Sequence, residues 1–174
     1  MDCITIAGNG EPTIYPQFLD FIDGLIRLRD RFYPGVPVGI LSDSSQVHRP
    51  EIKKGLERLD ERYMKLDAGT APLVKKINKP RGNFDFGRMV KELATLRDFV
   101  IQALFVQGSF DNTKDEDVQA WIRIIGQIRP REVQVYTIDR KPADPGLRKV
   151  SVERLGEIAQ ACQTETGIHS VVYD

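Results

Sequence analysis

Two cysteines, Cys3 and Cys162, are all the thiols in 174 residues. So few exclude a disulfide framework, and they exclude any site that needs three thiolates from this chain alone. The sequence also lacks an excess of either charge, with 25 basic and 25 acidic side chains and a formal net charge of zero. That balance gives no electrostatic case for nucleic acid or for an anionic membrane surface. No apolar run nears the ~20 residues of a membrane helix. Met1–Ile6 lacks the basic start and long apolar stretch of a signal peptide, so the expected location is cytoplasmic. His48 and His169 stand alone, without partners at metal-ligand spacing, and no metal-binding residue is expected in this chain. What is present is a 41% hydrophobic composition with dispersed charge, enough for a buried core in one domain spanning 1–174.

Short β-like runs alternate with longer amphipathic ones. Asp2–Ala7 reads as a strand that ends in the turn-rich Gly8-Asn9-Gly10-Glu11-Pro12. From Pro16 to Phe32, apolar Phe18, Phe21, Ile22, Leu25, Leu28 and Phe32 fall at helical spacing. Val38–Leu41 is the next strand, and Arg49-Pro50 opens a helix to about Leu59. Tyr63–Asp67 is a third strand, followed by a long connection and a helix from Asp85 to Arg97. Val100–Val106 and Val133–Ile138 are strands around a helix from Asp115 to Ile128, whose Trp121 falls on its buried stripe. Ser151 caps a last helix, with Cys162 on its apolar stripe, and Ile168–Tyr173 is a closing strand. The order is β(αβ)₅, so the strands must be parallel with right-handed crossovers. An open doubly wound sheet and part of a (βα) barrel both satisfy it. The strand faces favour the barrel. Tyr63, Lys65 and Asp67 share one face and Met64 and Leu66 the other, and Gln134 and Tyr136 oppose Val133 and Val135. A sheet covered by helices on both sides would be apolar on both faces.

In parallel α/β folds the ligand site lies beyond the carboxyl ends of the strands. At the first such end, Gly8, Asn9, Gly10 and Glu11 present carbonyls and a carboxylate, all acceptors, in a turn whose glycines permit close approach. The matching ligand group is a cation such as an ammonium. The turn is not a dinucleotide fingerprint, which needs Gly-x-Gly-x-x-Gly offering donors at a helix N-terminus. Two facing charges in one strand, Lys65 and Asp67, are costly unless mutually paired or open to a cavity, and both arrangements remain open.

Ile4-Thr5-Ile6-Ala7-Gly8-Asn9-Gly10-Glu11-Pro12-Thr13 resembles the glycine–glutamate motif of radical S-adenosylmethionine enzymes. Leu41-Ser42-Asp43-Ser44-Ser45, Met64-Lys65-Leu66-Asp67-Ala68-Gly69, Phe105-Val106-Gln107-Gly108 with Asn112, and Val133–Arg140 are similar, in order, to later strand ends of one branch. That branch is the iron–sulfur oxidoreductases related to activating-enzyme-like and wyosine-type proteins. The resemblance implies an α/β fold, a parallel (βα)₆-type partial TIM barrel. It implies S-adenosylmethionine and a 4Fe–4S cluster, and cleavage of the sulfonium to a 5′-deoxyadenosyl radical. By position, Gly8, Asn9, Gly10 and Glu11 would hold the methionine ammonium, and Ser42 would lie near the methionine or ribose. Lys65 and Asp67 would contact the carboxylate and ribose, with Gln107, Tyr136 and Arg140 on the substrate side. The family binds its cluster with three cysteines after its first strand, and this chain has no such loop. Both cysteines read as packing residues. The chain is therefore expected to lack the first βα unit, as an expressed fragment, a fragmentary gene or a degraded paralogue. The edge of its first strand would then drive self-association. The substrate stays open among peptide glycyl sites, small molecules and tRNA bases. The alternative reading is a non-catalytic α/β ligand-binding or scaffold domain without iron.

Overall fold

The computed structural model describes residues 2–8, 10–80 and 83–173. Along the chain run β1 (Ile4–Ile6), a 3₁₀ turn (Pro12–Ile14), α1 (Phe18–Phe32), β2 (Val38–Ser42), α2 (Pro50–Glu57), β3 (Glu61–Lys65), α3 (Ala71–Asn78) and α4 (Phe86–Leu93). Then come β4 (Val100–Leu104), β5 (Gln107–Gly108), α5 (Asp115–Ile128), β6 (Glu132–Tyr136), β7 (Leu147–Arg148), α6 (Val152–Thr166) and β8 (Ser170–Tyr173). The alternation predicted from the sequence is present. It is modified by a second helix, α3, in the crossover from β3 to β4, and by a two-residue antiparallel ribbon of β5 with β7.

Strand order settles the architecture. The main sheet runs β1-β2-β3-β4-β6-β8, and every adjacent pair is parallel. Spatial neighbours are successive main-sheet strands, so right-handed crossovers put all the covering helices on one face. A doubly wound sheet needs a point where the order reverses, and this one has none. The result is a partial barrel, with helices outside and a concave inner face.

The outer face supplies the core. Ile40, Met64, Ile101, Ala103, Val133 and Val135 are fully buried beneath the helices. Trp121 of α5, also fully buried, meets Phe105 edge-on at 5.2 Å and donates its indole N–H to the Leu66 carbonyl at 2.9 Å. Gly69, just past β3, lies against the backbone of Ala120 and Trp121, where a Cβ would collide. The Met64–Gly69 run thus keeps its glycine for helix packing. Cys162 is buried in α6, and burial pushes its thiol up from the ordinary value. Cys3 packs against Gly39, where an added Cβ would stand 3.4 Å from its sulfur. It precedes β1, is only half-buried, and receives a weak bond from the Thr5 hydroxyl at 3.7 Å.

β1 is an edge of the sheet, hydrogen-bonded to β2 alone among the described residues. Beside it the segment 14–33 exposes Ile14, Tyr15, Phe21, Leu28, Phe32 and Tyr33. No helix among the described residues is long and apolar enough to cross a membrane.

Candidate functional site

At the end of β1 the chain turns so that Glu11 caps the 3₁₀ turn, accepting from the Thr13 N–H at 3.0 Å and the Thr13 hydroxyl at 2.5 Å. The same Oε1 accepts from Ser42 Oγ at 2.9 Å, and Oε2 accepts from the Asp43 N–H at 2.5 Å. Glu11 therefore ties the end of β1 to the end of β2. Burial, and then the Asp43 charge beside it, raise its carboxyl above the ordinary carboxylate value. Apart from their own chain neighbours, Gly8 and Gly10 have no described protein atom within 4 Å of where a Cβ would stand, which leaves room in front of this turn. Asn9 lies outside the described residues.

Lys65 projects from the end of β3 toward the concave side. Its ammonium donates to the Tyr136 hydroxyl at 2.6 Å and lies 3.4 Å from Asp67 Oδ2. Burial alone would lower its pKa, but Asp67 and Tyr136 outweigh it and hold the lysine above its ordinary value. An ammonium has three donors, so one remains for a ligand. Asp67 is 1% exposed, and its carboxylate is engaged within the protein. Oδ1 accepts from the Leu104 N–H at 2.8 Å and Oδ2 from Asn78 Nδ2 at 2.6 Å. Between mutual pairing and a shared cavity, the structure shows both: the ion pair forms, and Lys65 alone of the two lines the cleft.

That cleft, about 380 Å³, is lined by Gly8, Gly10, Glu11, Ser42, Lys65 and Asn78 among others. A second hollow of about 500 Å³ opens on the concave face against Tyr63, Gln102, Gln134, Tyr136, Asp139 and Tyr173. The register explains the grouping: Lys65 pairs with Gln102 and Gln102 with Gln134, and one layer higher Tyr136 pairs with Tyr173. The Lys65–Tyr136 bond joins the two spaces.

Of the residues singled out from sequence, Gly8, Gly10, Glu11, Ser42 and Lys65 converge on one cleft, with Tyr136 adjoining. Gln107 and Arg140 line neither space. Gln107 belongs to the β5–β7 ribbon and binds Thr113 Oγ1 at 3.1 Å, and Arg140 is exposed. Asn112, buried, braces the loops by donating to the Asp67 and Leu104 carbonyls and accepting from the Val106 N–H. Sequence reasoning missed Asn78, which sits in a stretch read as a connection, and also Gln102 and Tyr173. Alternation along the strands carried a signal for the last two.

The donor sets test what could be held. Acceptors around Glu11 and the third proton of Lys65 suit a zwitterion. An iron–sulfur cluster does not fit: Cys3 stands at the β1 edge and Cys162 inside α6, and among the described residues no three metal-binding groups converge.

The chain has the partial-barrel fold of radical S-adenosylmethionine proteins. It superposes on a domain of pyruvate-formate lyase-activating enzyme from Bacteroides vulgatus with a TM-score of 0.72, covering 98% of both chains at 13% identity. A radical SAM methyltransferase from Sphaerobacter thermophilus gives 0.74 at 16% identity, over 99% of this chain and 51% of that one. Streptococcus suis SuiB bound to S-adenosylmethionine gives 0.69 at 14%, over 99% of this chain and 39% of that one. In sequence, the chain is 26% identical to a Brachyspira hyodysenteriae protein named GTPase Obg, over 98% of this chain and 25% of that protein. It is 28% identical to a Helicobacter pylori UPF0026 protein, over 89% of this chain and 49% of that protein. It thus spans half or less of these curated relatives. No family model matches it.

Proposed function

We propose that this domain binds the methionine end of S-adenosylmethionine in the cleft between the Gly8–Glu11 turn and Lys65. One observation carries the reading: a carboxylate and a lysine face a single cleft whose glycine turn leaves room for close approach. Glu11 and the turn carbonyls suit the ammonium, and the remaining Lys65 proton suits the carboxylate. The ligand's sulfonium is a further cation, which suits a cleft rich in acceptors. The concave hollow beside Tyr136 is the substrate side, with the adenosyl group directed toward it. The iron–sulfur cluster that accompanies this cofactor in the family has no ligand set in residues 1–174. Its thiolates come, in this reading, from other polypeptide.

Calorimetric titration of the 174-residue protein with S-adenosylmethionine tests the first half. Saturable one-to-one binding that Glu11→Gln weakens is the expected result, and no heat at millimolar ligand overturns it. The scarcity and separation of the cysteines favour a second reading, a ligand-binding domain that works without iron. Anaerobic purification in the protein's native expression context separates the two. Stoichiometric iron and sulfide support the cluster enzyme, and an iron-free protein that still binds the ligand supports the second reading.

The partner proposed for the exposed apolar face of α1 is a second copy of the chain. An antiparallel α1–α1 pair would bury Phe21 and Leu28 and set Asp20 of each helix toward Arg31 of the other. Sedimentation velocity should show a concentration-dependent dimer that Leu28→Glu suppresses. A monomer at every concentration would count against it.

A further inference from the structure

Asn78 ends α3, and its side chain reaches back toward the strand ends. Its Nδ2 donates to Asp67 Oδ2 at 2.6 Å. A carboxylate accepts and cannot donate, so this contact fixes which end of the amide faces which way. Oδ1 must point away from Asp67. That oxygen is buried and has no hydrogen-bond partner, the one such side-chain atom found among the described residues. The same residue lines the Glu11–Lys65 cleft and a neighbouring hollow of about 320 Å³ that shares Gly10, Glu11 and Asp43 with it. Buried acceptors in native proteins are nearly always satisfied, and an orphan calls for an explanation.

We infer that Asn78 Oδ1 is a ligand-binding acceptor, and that it takes an N–H or O–H of the molecule in this cleft. Asp67 acts through it. Asp67 is 1% exposed and, unlike Glu11, does not line the cleft, so the acceptor offered to the ligand there is the amide oxygen that Asp67 orients. Three residues from three elements thereby surround the ligand: Glu11 after β1, Lys65 on β3, and Asn78 on α3. The inference rests on the S-adenosylmethionine reading, where either the ammonium or a ribose hydroxyl is the donor. The chemistry accepted by Oδ1 is the same in both cases.

The test uses the full 174-residue chain and three probes. S-adenosylmethionine has both donor groups, methionine has only the ammonium, and 5′-methylthioadenosine has the ribose hydroxyls and the adenine amine without the ammonium. Asn78→Leu keeps the branched side-chain shape and removes the acceptor together with the amide donor to Asp67. Loss of one buried hydrogen bond weakens binding by about tenfold. The weakening should extend to S-adenosylmethionine and to whichever smaller probe carries the donor. Equal affinities of wild type and variant for all three probes overturn the assignment to Asn78 while leaving the S-adenosylmethionine reading intact. A wild type that binds none of the probes overturns that reading, and this inference with it. Should Asn78→Leu fail to fold, the wild-type protein still decides. The Asn78 side-chain amide resonances should move on saturation with S-adenosylmethionine, and unmoved resonances count against the contact.

Discussion

At the amino ends of the strands, Arg62 is 7% exposed and gives its N–H groups to the Leu56, Leu59 and Asp98 carbonyls and to the Asp98 carboxylate. Arg131 joins Asp98 at 2.9 Å to Glu61 at 2.7 Å. At the carboxyl ends, Glu11, Lys65 and Asn78 are also paired with protein groups, yet an ammonium proton and a buried amide oxygen are left without protein partners on residues that line the cleft. The two ends are built from the same kinds of side chain. One is a closed network whose members answer one another, and the other is closed only in part. Leftover hydrogen-bonding capacity, more than charge itself, distinguishes a candidate site from a brace.

The sharpest way to break that contrast is at Arg62. Arg62→Ala should lower stability by about 3 kcal/mol, because several partly buried acceptors lose their donor at once. Urea unfolding measures it as a drop in midpoint at unchanged slope. Ligand affinity of the folded variant should stay within about twofold, since nothing at that end faces the cleft. A matching loss of affinity would mean that the ends are coupled and the contrast is false.

Asp67 stands at the carboxyl end but is wired like the brace, and Asp67→Asn tests which it is. An amide in its place sets a donor against either the Leu104 N–H or the Asn78 amide. Stability should fall by about 2 kcal/mol. Affinity for S-adenosylmethionine should fall as well, because Asn78 and Lys65 lose the group that positions them. Unfolding and calorimetry on the same sample read both. A loss of stability with unchanged affinity would class Asp67 with Arg62.

How far these features could be read from the sequence varies with the length scale that set them. The six parallel strands and every helix but α3 followed from apolar periodicity, and the inner face followed from alternation through Tyr63–Lys65 and Gln134–Tyr136. Glu11 was legible because a glycine turn after a strand restricts what it can bind. Strand bounds slipped where pattern and hydrogen bonding disagree. Asp67 continues the alternation of β3, but the ladder ends at Lys65 and the carboxylate turns inward to the Leu104 N–H. Asn78 could not be read at all. Nothing in Lys75-Lys76-Ile77-Asn78 marks its asparagine, whose role comes from a contact 11 residues away in the chain. Arg62 was hidden in the same way, a charge on the core side of a strand that three neighbouring carbonyls and the Asp98 carboxylate explain.

The smallest expected effect separates the ends by pH. Burial and Asp43 raise the Glu11 carboxyl above 4.5, so between that value and its folded one the native state binds more protons than the unfolded chain. Stability of the free protein should therefore fall slightly as pH rises through this window. Binding of a cation needs the carboxylate, so affinity for S-adenosylmethionine should rise over the same window. Complex formation should also release a proton, detectable as a dependence of the binding heat on the buffer's ionisation enthalpy. Glu11→Gln should abolish both slopes, weaken binding by about tenfold and change stability by no more than about 1 kcal/mol, since relief of charge burial offsets the lost acceptor. If affinity instead tracked stability downward with rising pH, Glu11 would be a brace like Arg62, and the ammonium would have to bind elsewhere.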